Sequence, residues 1–174
     1  RSTLFPYTTL FRSMKIYTIK KDQHEKIKLT KSGSYLIELT GAGSSVDITG
    51  VFKAEEKNKL EIYVVIHHKA PHTKAETVLK GVVRDSSFLQ LKGKIIIDEN
   101  CGDSSSFLTE RVLLLSDKAK AEAIPDLEIK TDDVQCSHAA SISSISEEHL
   151  FYLETRGIGR EKAEEMVGDG FLDL

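Results

Sequence analysis

Cysteine is scarce in this 174-residue chain, which contains only Cys101 and Cys136. Two cysteines are too few for a disulfide framework, and because no secretory signal follows Met14 we expect both to be reduced thiols. Long apolar runs are also missing, since none approaches the roughly 18–20 residues that a membrane span requires. The glycines form neither a P-loop nor a dinucleotide fingerprint, so no nucleotide is expected on this chain. These absences favour a soluble cytoplasmic protein.

Neither sign of charge dominates, with 24 basic and 27 acidic residues and a net charge of −3. A mildly acidic chain with interspersed charges disfavours a nucleic-acid role that depends on phosphate neutralisation. Residues 1–13 resemble the translation of a sequencing adapter, and Met14 follows at once. We interpret residues 1–13 as an artefact, which leaves 22 basic and 27 acidic residues and a net charge of −5.

Short β-branched or aliphatic segments bounded by Gly, Asp, Asn, Ser or Lys recur along the chain and predict strands. They cover residues 14–19, 27–29, 35–39, 46–52, 60–67, 75–83, 89–98, 111–116 and 127–131. No helical pattern separates them, so βαβ crossovers are excluded. Several segments are apolar without alternation, which is typical of strands that are buried on both faces. The pattern leaves an antiparallel sandwich and a β-helix equally open.

The hydrophobic period changes at Ser144 and predicts two short helices. The first spans residues 147–156, with Ser144 or Ser146 as its N-cap and Gly157 as the residue that ends it. The second spans residues 160–167 and is expected to end near Gly168 and Gly170. We therefore divide the chain into an artefact at 1–13, a β core at 14–143 and a helical segment at 144–174.

Cys136 and His138 are the main candidates for chemistry. If their segment is extended, the two side chains leave the same face, roughly 6.5–7 Å apart along the backbone. A thiol and an imidazole could bind a soft or borderline metal, or they could be a structural cysteine beside a surface histidine. Cys101 is a lesser candidate, in a Gly/Asp/Ser loop that could expose it. His68 and His72 have helical zinc-site spacing, but Pro71 argues against a helix, so residues 67–72 are interpreted as a turn.

Several separated motifs, taken in order, resemble the SufB/SufD family, the scaffold subunits of the SUF iron–sulfur cluster assembly complex. They are residues 133–140 with the Cys136-Ser137-His138 sequence, residues 147–158, and the segments 68–73, 79–83, 93–95, 111–116 and 125–129. The Cys-Ser-His form resembles SufD rather than SufB. The resemblance implies a right-handed parallel β-helix followed by two short C-terminal helices, and a scaffold without catalytic activity of its own.

The resemblance also implies partners and sites. It implies pairing with a SufB-like subunit and a transient iron–sulfur cluster shared with that subunit, with His138 and Cys136 as ligands. It implies docking of a SufC-like ATPase on the C-terminal helices, where Phe151, Tyr152, Arg156 and Gly157 would form the contact.

Two features depart from the family pattern. Ala139 stands where the family usually has glycine, and it would be strained if that position needs a positive φ. The chain is also shorter than full-length relatives, so it is either a short form or a fragment. Two alternative functions remain: a β-helix interaction protein without a metal role, and an enzyme that uses Cys136 as nucleophile with His138 as base.

Overall fold

The computed structural model describes residues 14–173, which form ten strands and two helices. The strands are β1 (Lys15–Ile19), β2 (His24–Leu29), β3 (Gly33–Leu39), β4 (Ser45–Ala54), β5 (Lys59–His68), β6 (Lys74–Val83), β7 (Phe88–Ile97), β8 (Ser104–Leu114), β9 (Lys120–Ile129) and β10 (Val134–Ser144). The helices are α1 (Glu147–Thr155) and α2 (Arg160–Leu172). The proposed artefact at residues 1–13 lies outside the described residues.

The strands alternate between two parallel sheets, which makes the body a β-helix of about four turns. One sheet has the order β1-β3-β5-β7-β9 and the other has the order β10-β8-β6-β4-β2. Gly33 pairs with Ile62 and Lys59 pairs with Phe88, so each of these turns advances the chain by 29 residues. The β-helix implied by the resemblance is thereby confirmed, and the sandwich is excluded because every pairing is parallel.

Aliphatic side chains stack on one another through the interior of the β-helix. Ile37 pairs in register with Ile66, which pairs with Ile95, and all three are completely buried. Because each of these three isoleucines is covered from above and below by the neighbouring turns, each contributes on the order of 1.5–3 kcal/mol of burial free energy. The same stacking explains why several strands read as continuous apolar runs.

The turns between strands are made by polar residues in the left-handed backbone region. In the part of the chain that the structure describes, six residues other than glycine have φ between 52° and 64°: Asp22, Glu56, His72, Asp85, Asn100 and Asp103. Asp and Asn tolerate this conformation better than other side chains because they can hydrogen-bond locally. The segment that follows His68 is such a turn, as predicted, since β5 ends at His68 and β6 begins at Lys74.

Helix α1 begins at Glu147, as predicted, and ends at Thr155, one residue before the predicted end. Ser146 is the N-cap, and its hydroxyl accepts a hydrogen bond from the His149 amide at 3.5 Å. Gly157 has φ +82°, its amide donates to the carbonyl of Glu154, and the Ile158 amide donates to the carbonyl of Leu153. These two bonds form a Schellman motif, which is the standard role of a glycine after a helix.

Helix α2 is longer than predicted, because it continues through Gly168 and Gly170 to Leu172. The reason is tertiary packing against the outside of the β-helix. A Cβ on Gly168 would lie 3.2 Å from Leu115 and 3.6 Å from Val82, so glycine allows the helix to approach the sheet closely. Lys53 and Asp169 form an ion pair at 2.7 Å that holds the same end.

Neither helix among residues 14–173 is long and apolar enough to cross a membrane.

Candidate functional site

The last turn of the β-helix is uncovered on one side. Among residues 14–173, strand β10 pairs only with β8 and strand β9 pairs only with β7, so no strand of this part of the chain lies beside their outer edges. We call the inward-facing side chains of these two strands the end face. They are Ala121, Ala123, Pro125, Leu127, Ile129, Val134, Cys136, His138, Ala140, Ile142 and Ser144, each in register with an inward-facing residue of β7 or β8. The end face is therefore an open cross-section of the core.

Cys136 and His138 lie together on this end face, as their spacing predicts. Cys136 pairs in register with Ser106 and is half-buried against the core, whereas His138 pairs with Leu108 and is exposed. Burial raises the pKa of the Cys136 thiol, so the uncovered chain favours the protonated form. The two candidate ligands are thus adjacent on the end face.

The chain does not supply a complete metal site by itself. Among residues 14–173, no group of three His, Cys, Asp or Glu side chains is close enough to hold a metal ion. Cys136 and His138 contribute two ligands at most in the arrangement observed, and a stable iron or zinc site usually needs about four. Further ligands would have to come from a side-chain rearrangement or from a partner.

Ala139 is not strained. It lies inside β10, pairs with Thr109 of β8, and is absent from the described residues with positive φ. The backbone at this position is extended, and alanine adopts that conformation freely. The departure from the family's glycine therefore does not disturb the strand that carries Cys136 and His138.

Two polar side chains lie directly beneath the end face without hydrogen-bond partners. The hydroxyl of Ser106 lies under Cys136, and Glu110 lies under Ala140. Both residues are completely buried, and neither the Ser106 hydroxyl nor either Glu110 carboxyl oxygen has a partner of ordinary geometry. Burial raises the pKa of Glu110 to about 7, and the smaller effect of the Gly93 backbone amide opposes this shift.

Gly93 makes the space that Glu110 occupies. It lies in the middle of β7, where a Cβ would be 2.9 Å from a Glu110 carboxyl oxygen and would collide with Leu108. Our sequence reasoning missed Glu110. The available signal was the alternation of Ser104, Ser106, Leu108, Glu110 and Val112, which puts all of them on the inner face of one strand.

The lesser candidates Cys101, His68 and His72 lie outside the end face. Cys101 is 2% exposed, so the expectation of an exposed loop thiol is wrong, because the turn directs it inward against the carbonyl of His68 at 3.5 Å. His68 is buried, and its Nδ1 lies 2.7 Å from the hydroxyl of Thr73. His72 lies outside, 2.8 Å from Asp103, so His68 and His72 form no shared metal site.

The predicted partner-binding residues of the helical segment form an exposed patch. Phe151 is 67% exposed and Tyr152 is 58% exposed, while Leu150 beside them is completely buried. The Arg156 guanidinium lies 5.2 Å from the Tyr152 ring centroid and donates to its hydroxyl at 3.2 Å. Gly157 follows at the end of the helix, so the four residues lie close to one another on the surface.

Comparison with known proteins identifies the family. Residues 27–171 match the family model described as "SUF system FeS cluster assembly, SufBD core domain". An iron–sulfur cluster assembly SufBD family protein of Mycobacterium leprae is 29% identical over 143 residues, which cover 78% of this chain and 36% of that protein. One from Pyrococcus horikoshii is 31% identical over 133 residues, or 76% of this chain and 29% of that protein.

A third relative, from Staphylococcus saprophyticus, is 33% identical over 106 residues, which are 61% of this chain and 23% of that protein. The chain thus spans about a third or less of the length of these relatives. The family match nevertheless covers the β-helix from within β2 onward and nearly all of the two helices that follow it. The chain belongs to the SufBD core domain family of the SUF iron–sulfur cluster assembly system.

Proposed function

We propose that this chain is a SufD-like scaffold subunit for cytoplasmic iron–sulfur cluster assembly. In this proposal its end face pairs with a SufB-like subunit, its helices dock a SufC-like ATPase, and a transient cluster forms between the two β-helices. His138 is the principal ligand from this chain and Cys136 is the second. The observation that carries the proposal is the position of both residues on an open core cross-section.

The edge strand at the end face lacks the features that normally prevent strand pairing. Natural edge strands are protected by lysine, other charges or proline. Strand β10 has the sequence VQCSHAASISS, with no Lys, Arg, Asp, Glu or Pro, whereas β2 at the opposite end reads HEKIKL. An uncharged eleven-residue edge next to exposed apolar side chains supports pairing with another protein's strand.

The exposed aromatic patch on α1 supports a second contact. Two neighbouring aromatic side chains with an arginine stacked on one of them have the composition of an interface anchor. Leu150 and Ala163 are the completely buried side chains of the two helices, whereas Phe151 and Tyr152 remain exposed. Phe151 and Tyr152 are therefore free to bind the ATPase without loss of packing.

The alternative of a Cys/His enzyme is less well supported. A nucleophilic cysteine needs a lowered pKa, and burial raises the pKa of Cys136. In the proposed scaffold role, the Cys136 thiol does not need to be reactive before the partner and the metal bind. We therefore assign ATP hydrolysis to the partner and no catalytic role to this chain.

Co-expression with SufB-like and SufC-like proteins tests the pairing. Ile142→Lys, on the end face where the isoleucine is 44% exposed, should abolish co-purification with the SufB-like subunit because it buries a charge in the interface. Ile16→Lys is the matched control, since Ile16 is 60% exposed on the opposite edge strand. Equal recovery of the complex with both variants would refute pairing through the end face.

The metal role and the helical contact need separate readouts. His138→Ala should reduce the iron and sulfide content of the assembled complex while leaving co-purification intact. Full cluster content in that variant would favour the alternative of an interaction protein without a metal role.

Tyr152→Ala should release the SufC-like protein and retain the SufB-like one, and loss of both would indicate general damage instead of a local contact.

A further inference from the structure

Helices α1 and α2, which we call the helix pair, are attached to the β-helix through a small apolar contact. Four residues of the two helices are buried, and only Leu150 and Leu172 among them have large side chains. Leu172 belongs to a cluster with Val82, Leu113 and Leu115 that is separate from the main core. Because burial free energy grows with the apolar area removed from water, this contact is far weaker than the stacked interior of the β-helix.

Charges of opposite sign face each other across this contact. The Nζ atom of Lys53 lies 2.7 Å from a carboxyl oxygen of Asp169, and the guanidinium of Arg84 lies 3.8 Å from a carboxyl oxygen of Glu164. In both ion pairs the β-helix supplies the cation and α2 supplies the anion. The attraction between the two bodies is therefore partly electrostatic, and salt should weaken it.

Two further cations of the β-helix contact the C-terminal end of α2. Lys80 and Arg111 lie 5.9 Å and 5.3 Å from the centroid of the Phe171 ring, and Lys80 also donates to the backbone carbonyl of Asp173. An open cleft of about 600 Å³ lies between the first turn of α2 and the turns after β6 and β8. The contact thus consists of ion pairs and cation–π interactions around a small apolar centre, with unfilled space on one side.

We propose that the helix pair is a detachable unit, which opens from the β-helix as one body at residues 145–146, and that its ion pairs set how often it opens. The β-helix stays folded during this opening because its main core contains no residue of either helix. Helices of nine and 13 residues are marginal in water by themselves, so the detached pair loses its helical hydrogen bonds. Phe151 and Tyr152 are carried by this unit and move with it.

Hydrogen exchange of the folded chain, followed by mass spectrometry at low salt and at about 1 M potassium chloride, tests the electrostatic part. Amide hydrogens of α1 and α2 should exchange faster than those of β6, and salt should accelerate the helices alone. The double variant Lys53→Gln/Arg84→Gln should accelerate both helices about 3–10-fold at low salt, the factor that two partly exposed ion pairs supply, and lose most of the salt effect. Lys59→Gln is the matched control, since Lys59 pairs with Glu61 inside β5.

A second pair of variants tests whether the two helices move together. Leu172→Ala removes the apolar side chain that α2 buries against the β-helix, so it should accelerate exchange in α1 as well as in α2, by at least about 10-fold. Met166→Ala is the matched control on the same helix, because Met166 is 44% exposed. Strand β6 serves as the internal reference for unfolding of the whole β-helix, since it lies between two strands.

Three results would overturn the inference. If both helices exchange as slowly as β6 at either salt concentration, or if Leu172→Ala accelerates β6 by the same factor as the helices, the helix pair unfolds only with the β-helix. If Leu172→Ala accelerates α2 and leaves α1 unchanged, the end of one helix frays and no unit detaches. If neither salt nor the Lys53→Gln/Arg84→Gln variant changes exchange in the helices, the ion pairs do not hold the contact.

Discussion

Replacing Glu110 with glutamine should make the stability of the β-helix less dependent on pH. Glu110 is completely buried, and its pKa is raised from 4.5 to about 7 because burial disfavours the charged form. The folded state therefore binds the proton more tightly than the unfolded chain does. Its contribution to stability is fully present below pH 4.5, is lost as the pH rises toward 7, and changes no further above that.

The size of this effect follows from the two pKa values. A pKa difference of about 2.5 corresponds to about 3 kcal/mol once both states are ionised, and about 2.5 kcal/mol of this falls between pH 5 and pH 8. For a domain of this length, about 2.5 kcal/mol corresponds to a shift in Tm of about 5–10 °C. Glu110→Gln carries no charge at any pH, so this part of the pH dependence should disappear.

Urea unfolding followed by circular dichroism at pH 5, 6, 7 and 8 measures the effect. Glu122→Gln provides the control because it removes an exposed carboxylate from the same region. The free energies of unfolding of the wild type and the control should fall together relative to Glu110→Gln as the pH rises. Parallel curves for the wild type and Glu110→Gln would refute the argument that a buried carboxyl titrates near neutral pH.

Three further perturbations are expected to have defined effects. Burial lowers the pKa of His68 to about 4, so the contribution of the neutral imidazole to stability is lost as the pH falls from 6.5 toward 4. In urea unfolding, His68→Gln should therefore remove about 3 kcal/mol of the decrease in unfolding free energy that the wild type shows over this pH range. Gly93→Ala should lower the free energy of unfolding by about 1–3 kcal/mol, since the added Cβ meets Leu108 and Glu110, and an unchanged Tm would contradict that packing. Gly157→Ala should cost about 1 kcal/mol in thermal unfolding because φ at this position is +82°. Gly159→Ala is the control and should cost much less, since Gly159 has φ −63° and open space around it. Equal losses of stability in the two variants would rule out backbone strain as the cause.

The sequence indicates the strands more reliably than their pairing. Local apolar patterns predict where segments such as β7 lie, but parallel and antiparallel pairing place the same residues in the interior, so two folds stayed open until the family resemblance was considered. The cap and the terminating glycine of α1 depend on local chemistry: of the two N-cap candidates Ser146 is confirmed and Ser144, which ends β10, is wrong, while Gly157 is confirmed. The predicted end of α2 is wrong, because Gly168 is selected by close contact with Leu115 rather than by helix termination.

The candidate site shows the same division between local and tertiary information. Spacing alone places Cys136 and His138 on one face, and both lie on the end face as a result. Spacing cannot show that this face is an open end of the core, since that depends on which strand is last in each sheet. Glu110 and the burial of Cys101 were missed for a related reason, because polar residues in a Ser-rich stretch resemble a surface loop until a neighbouring turn covers them.

The last turn also has a kinetic consequence. In a solenoid each turn is stabilised mainly by its immediate neighbours, so β9 and β10, which have a neighbour on one side only, should open locally more often than the inner turns. Amide hydrogens of β10 should exchange faster than those of β6, which lies between two strands. A site on such a turn can fray and reform while the inner turns stay folded. The rate at which a bound group leaves this site would then be set by the rate at which the last turn opens. A partner that covers this turn would slow that opening.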